Sequence, residues 1–357
     1  MPFDPLELPP LLTADLPGIA GRIKVAPEDF EVEEIPAYEP AGSGDFLYLW
    51  IEKRDMGADY FARQVARRLG IGNDEVGTAG LKDRRAVTRQ MVSVPANAED
   101  RLSQLEGDGI RVLRVSRHGN KLRPGHLHGN RFNILVRDVD PESAVRLPAL
   151  VERLQQVGLP NYYGPQRFGR DGETVRLGFA LLRGEPVPGK QARDKFLRKL
   201  ALSATQSSLF NHYLGQRLKD GLLQTVLAGD VMAKWPFGGM FTAEDMPAEQ
   251  ARFAARETVH AGPIFGRKTF PAHAVAAERE AAVLAAADLT PAAFNGFGKL
   301  LQGTRRHNLV YVDPISATAE PDGVRVVVTL PAGSYATVLL RELCKTNFGD
   351  DDTERFV

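Results

Sequence analysis

The chain has 357 residues, 45 of them basic and 45 acidic, so its formal net charge is zero. With 43% hydrophobic and 25% charged residues it has an ordinary globular composition, and its length predicts two domains. No stretch approaches the ~20 apolar residues of a membrane span, and a single cysteine, Cys344, excludes an internal disulfide and a cysteine-based metal cluster.

In chain order, the first ten residues are acidic and proline-rich, without the basic start and apolar core of a signal peptide, so a cytoplasmic protein is expected. Asp29–Ile35 and Phe46–Lys53 read as strands joined by the Pro/Gly-rich turn Pro40–Asp45. Ala58–Leu69 reads as a helix: Phe61, Val65 and Leu69 share a face, Asp59 lies near the start and Gly70 follows as a C-terminal cap. Strands follow at Thr88–Val94 and Arg131–Arg137, then a helix at Pro141–Val157. The middle is helical from Lys190 to Lys219, turns glycine-rich and less regular around Trp235–Gly239 and His260–Ile264, and is helical again over Ala274–Ala287. Strands return at Asn308–Val312 and Gly323–Leu330, and Ser334–Thr346 reads as a closing helix. A helical middle between strand-rich ends predicts an insertion into a discontinuous domain.

Charge is unevenly spread. From Gly109 to Arg137 the chain carries Arg111, Arg114, Arg117, Lys121, Arg123, Arg131 and Arg137 without an acidic residue, and the stretch leads into Asn130 and Phe132. Such a stripe fits contact with a polyanion; Asp350, Asp351, Asp352 and Glu354 offset it at the C-terminus. His118, His126 and His128 lack a metal-binding spacing, and no Gly-x-Ser-x-Gly elbow is present. Cys344 falls in an apolar helical pattern and is expected to be a buried structural thiol.

The most informative segment is Gly77-Thr-Ala-Gly-Leu-Lys-Asp-Arg-Arg-Ala-Val-Thr-Arg-Gln90. It is not a phosphate loop, because only two residues separate its glycines and Leu81 precedes Lys82. It places Asp83 between Lys82 and Arg84 after a tight glycine turn, and flanking cations favour the charged form of a carboxylate. Asp83 is thus a candidate nucleophile or base.

Four more segments accompany it: Lys24–Phe30, Arg117–Phe132, Pro160–Gly169 and Leu330–Thr337. Together, in order and spacing, the five resemble the signature segments of the TruD family of tRNA pseudouridine synthases, over about Gly21 to Gly349. The resemblance implies an α+β protein. Its pseudouridine-synthase catalytic domain would be a mixed, largely antiparallel sheet with flanking helices, circularly permuted and spanning 1–158 and 311–357. An inserted TRUD α/β domain would span 159–310. It implies isomerisation of uridine, at position 13 of tRNA in bacterial members, with tRNA as partner, no redox cofactor and no metal; a monomer is expected.

By the same resemblance, Asp83 is the essential carboxylate, acting at C1′ or C6 or as base at C2′, and Lys24 is the cation beside it. Phe132 stacks on the uracil, Asn130 contacts substrate, Phe30 and Tyr335 line the site, and Gln90 closes the aspartate motif. An aromatic face can restore ~1–3 kcal/mol of the stacking an extruded base loses. The cationic helix with Lys190, Arg193, Lys195, Arg198 and Lys199 is a candidate cleft wall. Two departures stand out: Asp55–Tyr60 replaces a Gly-x-Asn-Thr segment, and Tyr335 stands where phenylalanine is common. The rival readings are a catalytically silent RNA-binding or RNA-folding protein and a glycosidase-like hydrolase using Glu28 or Asp29 as second acid.

Overall fold

The computed structural model describes residues 3–189, 194–312 and 314–348. Lys190, Arg193, Gly349 and the acidic C-terminal residues named above therefore lie outside the described residues. In chain order the longer elements are β1 (Phe30–Pro36), β2 (Phe46–Arg54), α1 (Ala58–Leu69), β3 (Gly77–Thr78), β4 (Val87–Pro95), β5 (Ile110–His118), β6 (Leu127–Val136) and α2 (Ser143–Val157). After these come β7 (Leu159–Pro160), α3 (Glu173–Arg183), α4 (Lys195–Lys219), β8 (Val231–Lys234), β9 (Met240–Thr242), α5 (Met246–Ala254) and β10 (Thr258–Ile264). The chain closes with α6 (Ala274–Ala286), β11 (Thr304–His307), β12 (Leu309–Val310), β13 (Ile315–Glu320), β14 (Gly323–Pro331) and α7 (Ala336–Cys344).

Two compact units divide the chain: Asp15–Gln156 with Val312–Val357, and Met1–Ala14 with Val157–Tyr311. The N-terminal segment belongs with the second unit, whereas the sequence reading puts it with the sheet domain. Its attachment is local and specific: Ser208 donates to the Pro5 carbonyl at 2.8 Å, and the Phe3 ring meets Phe179 edge-on at 5.3 Å.

The first unit is built on one sheet of order β13-β14-β6-β1-β4-β2-β5, with β3 added onto β4. Every pairing is antiparallel except β1 with β4. Alternation decides which face is apolar: Leu47, Leu49 and Ile51 of β2 pack with Val92 and Val94 of β4 against Phe61, Val65 and Leu69 of α1. Gly70 ends α1 in the left-handed region, φ +60°, as its position predicts. Gly77 is not part of a turn. It lies in β3, where a Cβ would come within 2.3 Å of Ser93 Oγ and 2.5 Å of the Leu122 carbonyl, so close approach explains the glycine.

The second unit holds α3–α6, a four-stranded sheet of order β11-β10-β8-β9, and the β7–β12 pair. The stretch read from sequence as irregular is therefore largely sheet. β10 is buried at every position and contains Gly262 and Pro263, so it shows neither alternation nor freedom from breakers. Among the described residues, no helix is long and apolar enough to cross a membrane. Cys344 is buried in α7, and burial pushes its thiol up to about 12.

Candidate active site

Asp83 lies in the loop of residues 79–86 that joins β3 to β4. Its carboxylate is 38% exposed, and Oδ2 sits 3.3 Å from the Nζ of Lys24, a side chain only 2% exposed. Lys24 precedes β1 and has a left-handed backbone, φ +56°, a conformation that costs a non-glycine residue on the order of 1 kcal/mol. Burying an ammonium without compensation costs several times more. The compensation here is the carboxylate on one side and, on another, the face of Phe30, whose centroid is 4.5 Å from Nζ.

The rings follow from register. Phe30 on β1 lies opposite Ile134 on β6, and Val32 lies opposite Phe132, so Phe30 and Phe132 are diagonal neighbours on one sheet face. Their centroids are 6.1 Å apart at 72°, an edge-to-face pair. Phe132 keeps some exposure, while Phe30 is almost completely covered and acts as the floor beneath Lys24. The structure thus brings Lys24, Asp83, Phe30 and Phe132 together.

Gln90 and Asn130 occupy strands on either side of β1. Asn130 lies across from Glu34 in β1 and from Leu330 in β14. Gln90 Oε1 and Asn130 Oδ1 are both buried and accept no hydrogen bond; such an atom costs about 1–3 kcal/mol until a donor reaches it. Tyr335 is half-buried at the N-cap of α7, five residues beyond Leu330.

Two sequence expectations change. Lys82, which the sequence places as a cation flanking Asp83, turns inward and pairs with the buried Glu34 at 2.6 Å, while Lys24 meets the carboxylate. The basic stripe is also partly neutralised: Arg111 pairs with Glu52, Arg114 with Glu39, Arg117 with Glu99 and Arg137 with Asp29. Arg123 and Arg131 carry no ion pair among the described residues. The second-acid role fares poorly. Hydrogen bonds from Arg137 hold the Asp29 carboxyl below its usual range, and one from Arg54 does the same for Glu28, whereas a proton donor needs a raised value.

Sequence reasoning missed Glu34 and Lys53. Lys53 is fully buried; its Nζ donates to the carbonyl of Asp83 at 2.9 Å and to that of Met56. The signal was available. Glu34 shares parity with Phe30 and Val32, and Lys53 with Leu49 and Ile51, so both ionisable residues fall on an apolar face.

The architecture falls in the fold class of a crystal structure described as that of the putative tRNA pseudouridine synthase D (TruD) from Methanosarcina mazei, with a TM-score of 0.77 and 24% identity, covering 96% of this chain and 97% of that one. Within that class the chain belongs to the TruD family, because the family model for tRNA pseudouridine synthase D (TruD) matches residues 10–192 and 188–343. A tRNA pseudouridine synthase D of Anaeromyxobacter sp. (strain Fw109-5) is 46% identical over 338 residues, 94% of this chain and 96% of that protein. One from Thermus thermophilus is 41% identical over 94% of this chain and 92% of its own length.

Proposed function

We propose that the protein converts uridine to pseudouridine in tRNA, at uridine 13, with Asp83 as the reacting carboxylate and Lys24 as its counter-ion. The observation that carries this reading is the 3.3 Å pair between a solvent-reaching Asp83 and a buried Lys24, set beside Phe30 and Phe132. The isomerisation breaks the N1–C1′ bond, turns the uracil and joins C5 to C1′, moving one proton from C5 to N1. It needs a carboxylate that can reach the nucleoside and a surface that holds the free base. Phe132, slightly exposed, offers a ring for the base, and the unpaired acceptors of Gln90 and Asn130 suit the N3–H of uracil. Lys24, fixed by burial, keeps the carboxylate aimed without reorganising during the reaction.

The test is Asp83→Asn, assayed on tRNA by chemical labelling of pseudouridine. Turnover should fall by at least about 10³-fold while tRNA is still bound. Pseudouridine formation at the unmodified rate overturns the assignment, as does release of free uracil.

A further inference from the structure

The sheet forks where the Asp83 loop leaves it. On one side of β4, residues 87–89 pair with β1, but residues 92 and 93 pair with β3. Between these two partners the backbone ladder is interrupted, and a side chain fills the gap: Glu34 Oε1 accepts the Met91 N–H at 3.2 Å. Its other oxygen accepts Lys82 Nζ at 2.6 Å, with both side chains under 5% exposed. Glu34 therefore ties the residue next to Asp83 to the strand that follows the loop. Across β4, Lys53 on β2 lies opposite Thr88 and holds the Asp83 carbonyl itself. The same loop is bracketed by Asp55 N–H to the Ala86 carbonyl at 3.1 Å and Gly125 N–H to the Ala79 carbonyl at 2.8 Å.

Two buried ionisable side chains on opposite sides of β4 are thus directed at one short loop, and each reaches it in a different way. We propose that Glu34 and Lys53 are positioning residues for the reaction: they fix the backbone of Asp83 so that its carboxylate meets Lys24, and they act through Asp83 without touching RNA. This rests on the assignment of Asp83 above. Surface loops rarely recruit two buried ionisable side chains, because burying such groups is costly; a loop whose carboxylate must be held to a fraction of an ångström gains from it, since a 1 Å misplacement can cost about 10²-fold in rate.

The experiment compares Glu34→Gln, Lys53→Met and the double variant Glu34→Gln/Lys82→Met by single-turnover rate at saturating tRNA, tRNA affinity and melting temperature. Glu34→Gln keeps the acceptor for Met91 while releasing Lys82, and the double variant removes both charges, which guards against loss of folding through one uncompensated ion. The expected result is a rate lowered about 10²-fold per folded molecule, with tRNA affinity within about twofold of the parent. The double variant should recover melting temperature without recovering rate. Adding Lys53→Met to Asp83→Asn should lower the rate no further, because both act through one group. A rate that merely follows the folded fraction, or a loss confined to tRNA affinity, overturns the proposal. If Asp83→Asn itself keeps full rate, the functional assignment fails; if Asp83→Asn is inactive while Glu34→Gln and Lys53→Met match the parent, only the positioning role fails.

Discussion

Each unit buries charge, and the two do so in opposite ways. In the helical unit, Arg217 is fully buried and its guanidinium is saturated: both nitrogens of its fork reach Asp230, at 2.8 and 2.6 Å, and the rest donate to the carbonyls of Leu222 and Thr225 and to Tyr213. Burial alone would raise the Asp230 carboxyl, but the bonds from Arg217 outweigh it and hold the group below its usual range. The three side chains of that cluster, Arg217, Asp230 and Tyr213, are all buried. In the sheet unit, Lys24, Lys53 and Lys82 are also buried, yet the Asp83 carboxylate that Lys24 meets is more than a third exposed, and the amide oxygens of Gln90 and Asn130 accept no hydrogen bond. A closed set of buried charges holds a fold; an open one holds a reactive group.

The contrast predicts opposite phenotypes for two similar substitutions. Asp230→Asn should leave Arg217 uncompensated and lower stability by about 3–5 kcal/mol, read as a drop in melting temperature, with turnover per folded molecule unchanged. Asp83→Asn should do the reverse. If both variants melt alike, the distinction is broken.

A second prediction concerns pH. Burial pushes His260 down to about 3 and His307 down to about 4, so both are neutral in the folded unit. Below about pH 6.5 the unfolded chain takes up protons that the folded one does not. Stability should therefore fall as pH drops from about 6.5 to 4, by up to about 1.4 kcal/mol per pH unit for each histidine. Thermal melts across that range should show the slope, and His260→Gln should flatten it.

The smallest effect sharpens the reading of the basic stripe. Arg131→Ala should reduce the salt dependence of tRNA binding by about one in slope, while Arg117→Ala, whose partner Glu99 already neutralises it, should change the slope less. Equal effects would mean that ion pairing within the strand does not decide which arginines meet phosphate.

Long periodic elements are legible from sequence because one face of each is buried: α1 has the expected limits, and β1, β2, β4, α6 and β14 lie within a residue or two of theirs. The β8–β11 sheet is not, since its strands are three to seven residues long and β10 is covered on both faces. β5 reads only as a basic stretch, because its arginines mask the Val112 and Leu113 strand signal. At the site, motif residues can be named from sequence, but the direction of Lys82 cannot. Whether Lys82 turns to its neighbour Asp83 or to Glu34 depends on the fork between β1 and β3, a pairing no local pattern encodes.

The outermost position of β5 has a consequence for behaviour at high concentration. Among the described residues β5 has a strand partner on one side only, and a flank of this kind, with Leu113 and Val115 at 38% and 43% exposure, is a template for cross-chain β-pairing. Arg111, Arg114 and Arg117 along β5 hold ion pairs with Glu52, Glu39 and Glu99, and a second copy aligning there would have to desolvate or break them, which disfavours edge-to-edge association.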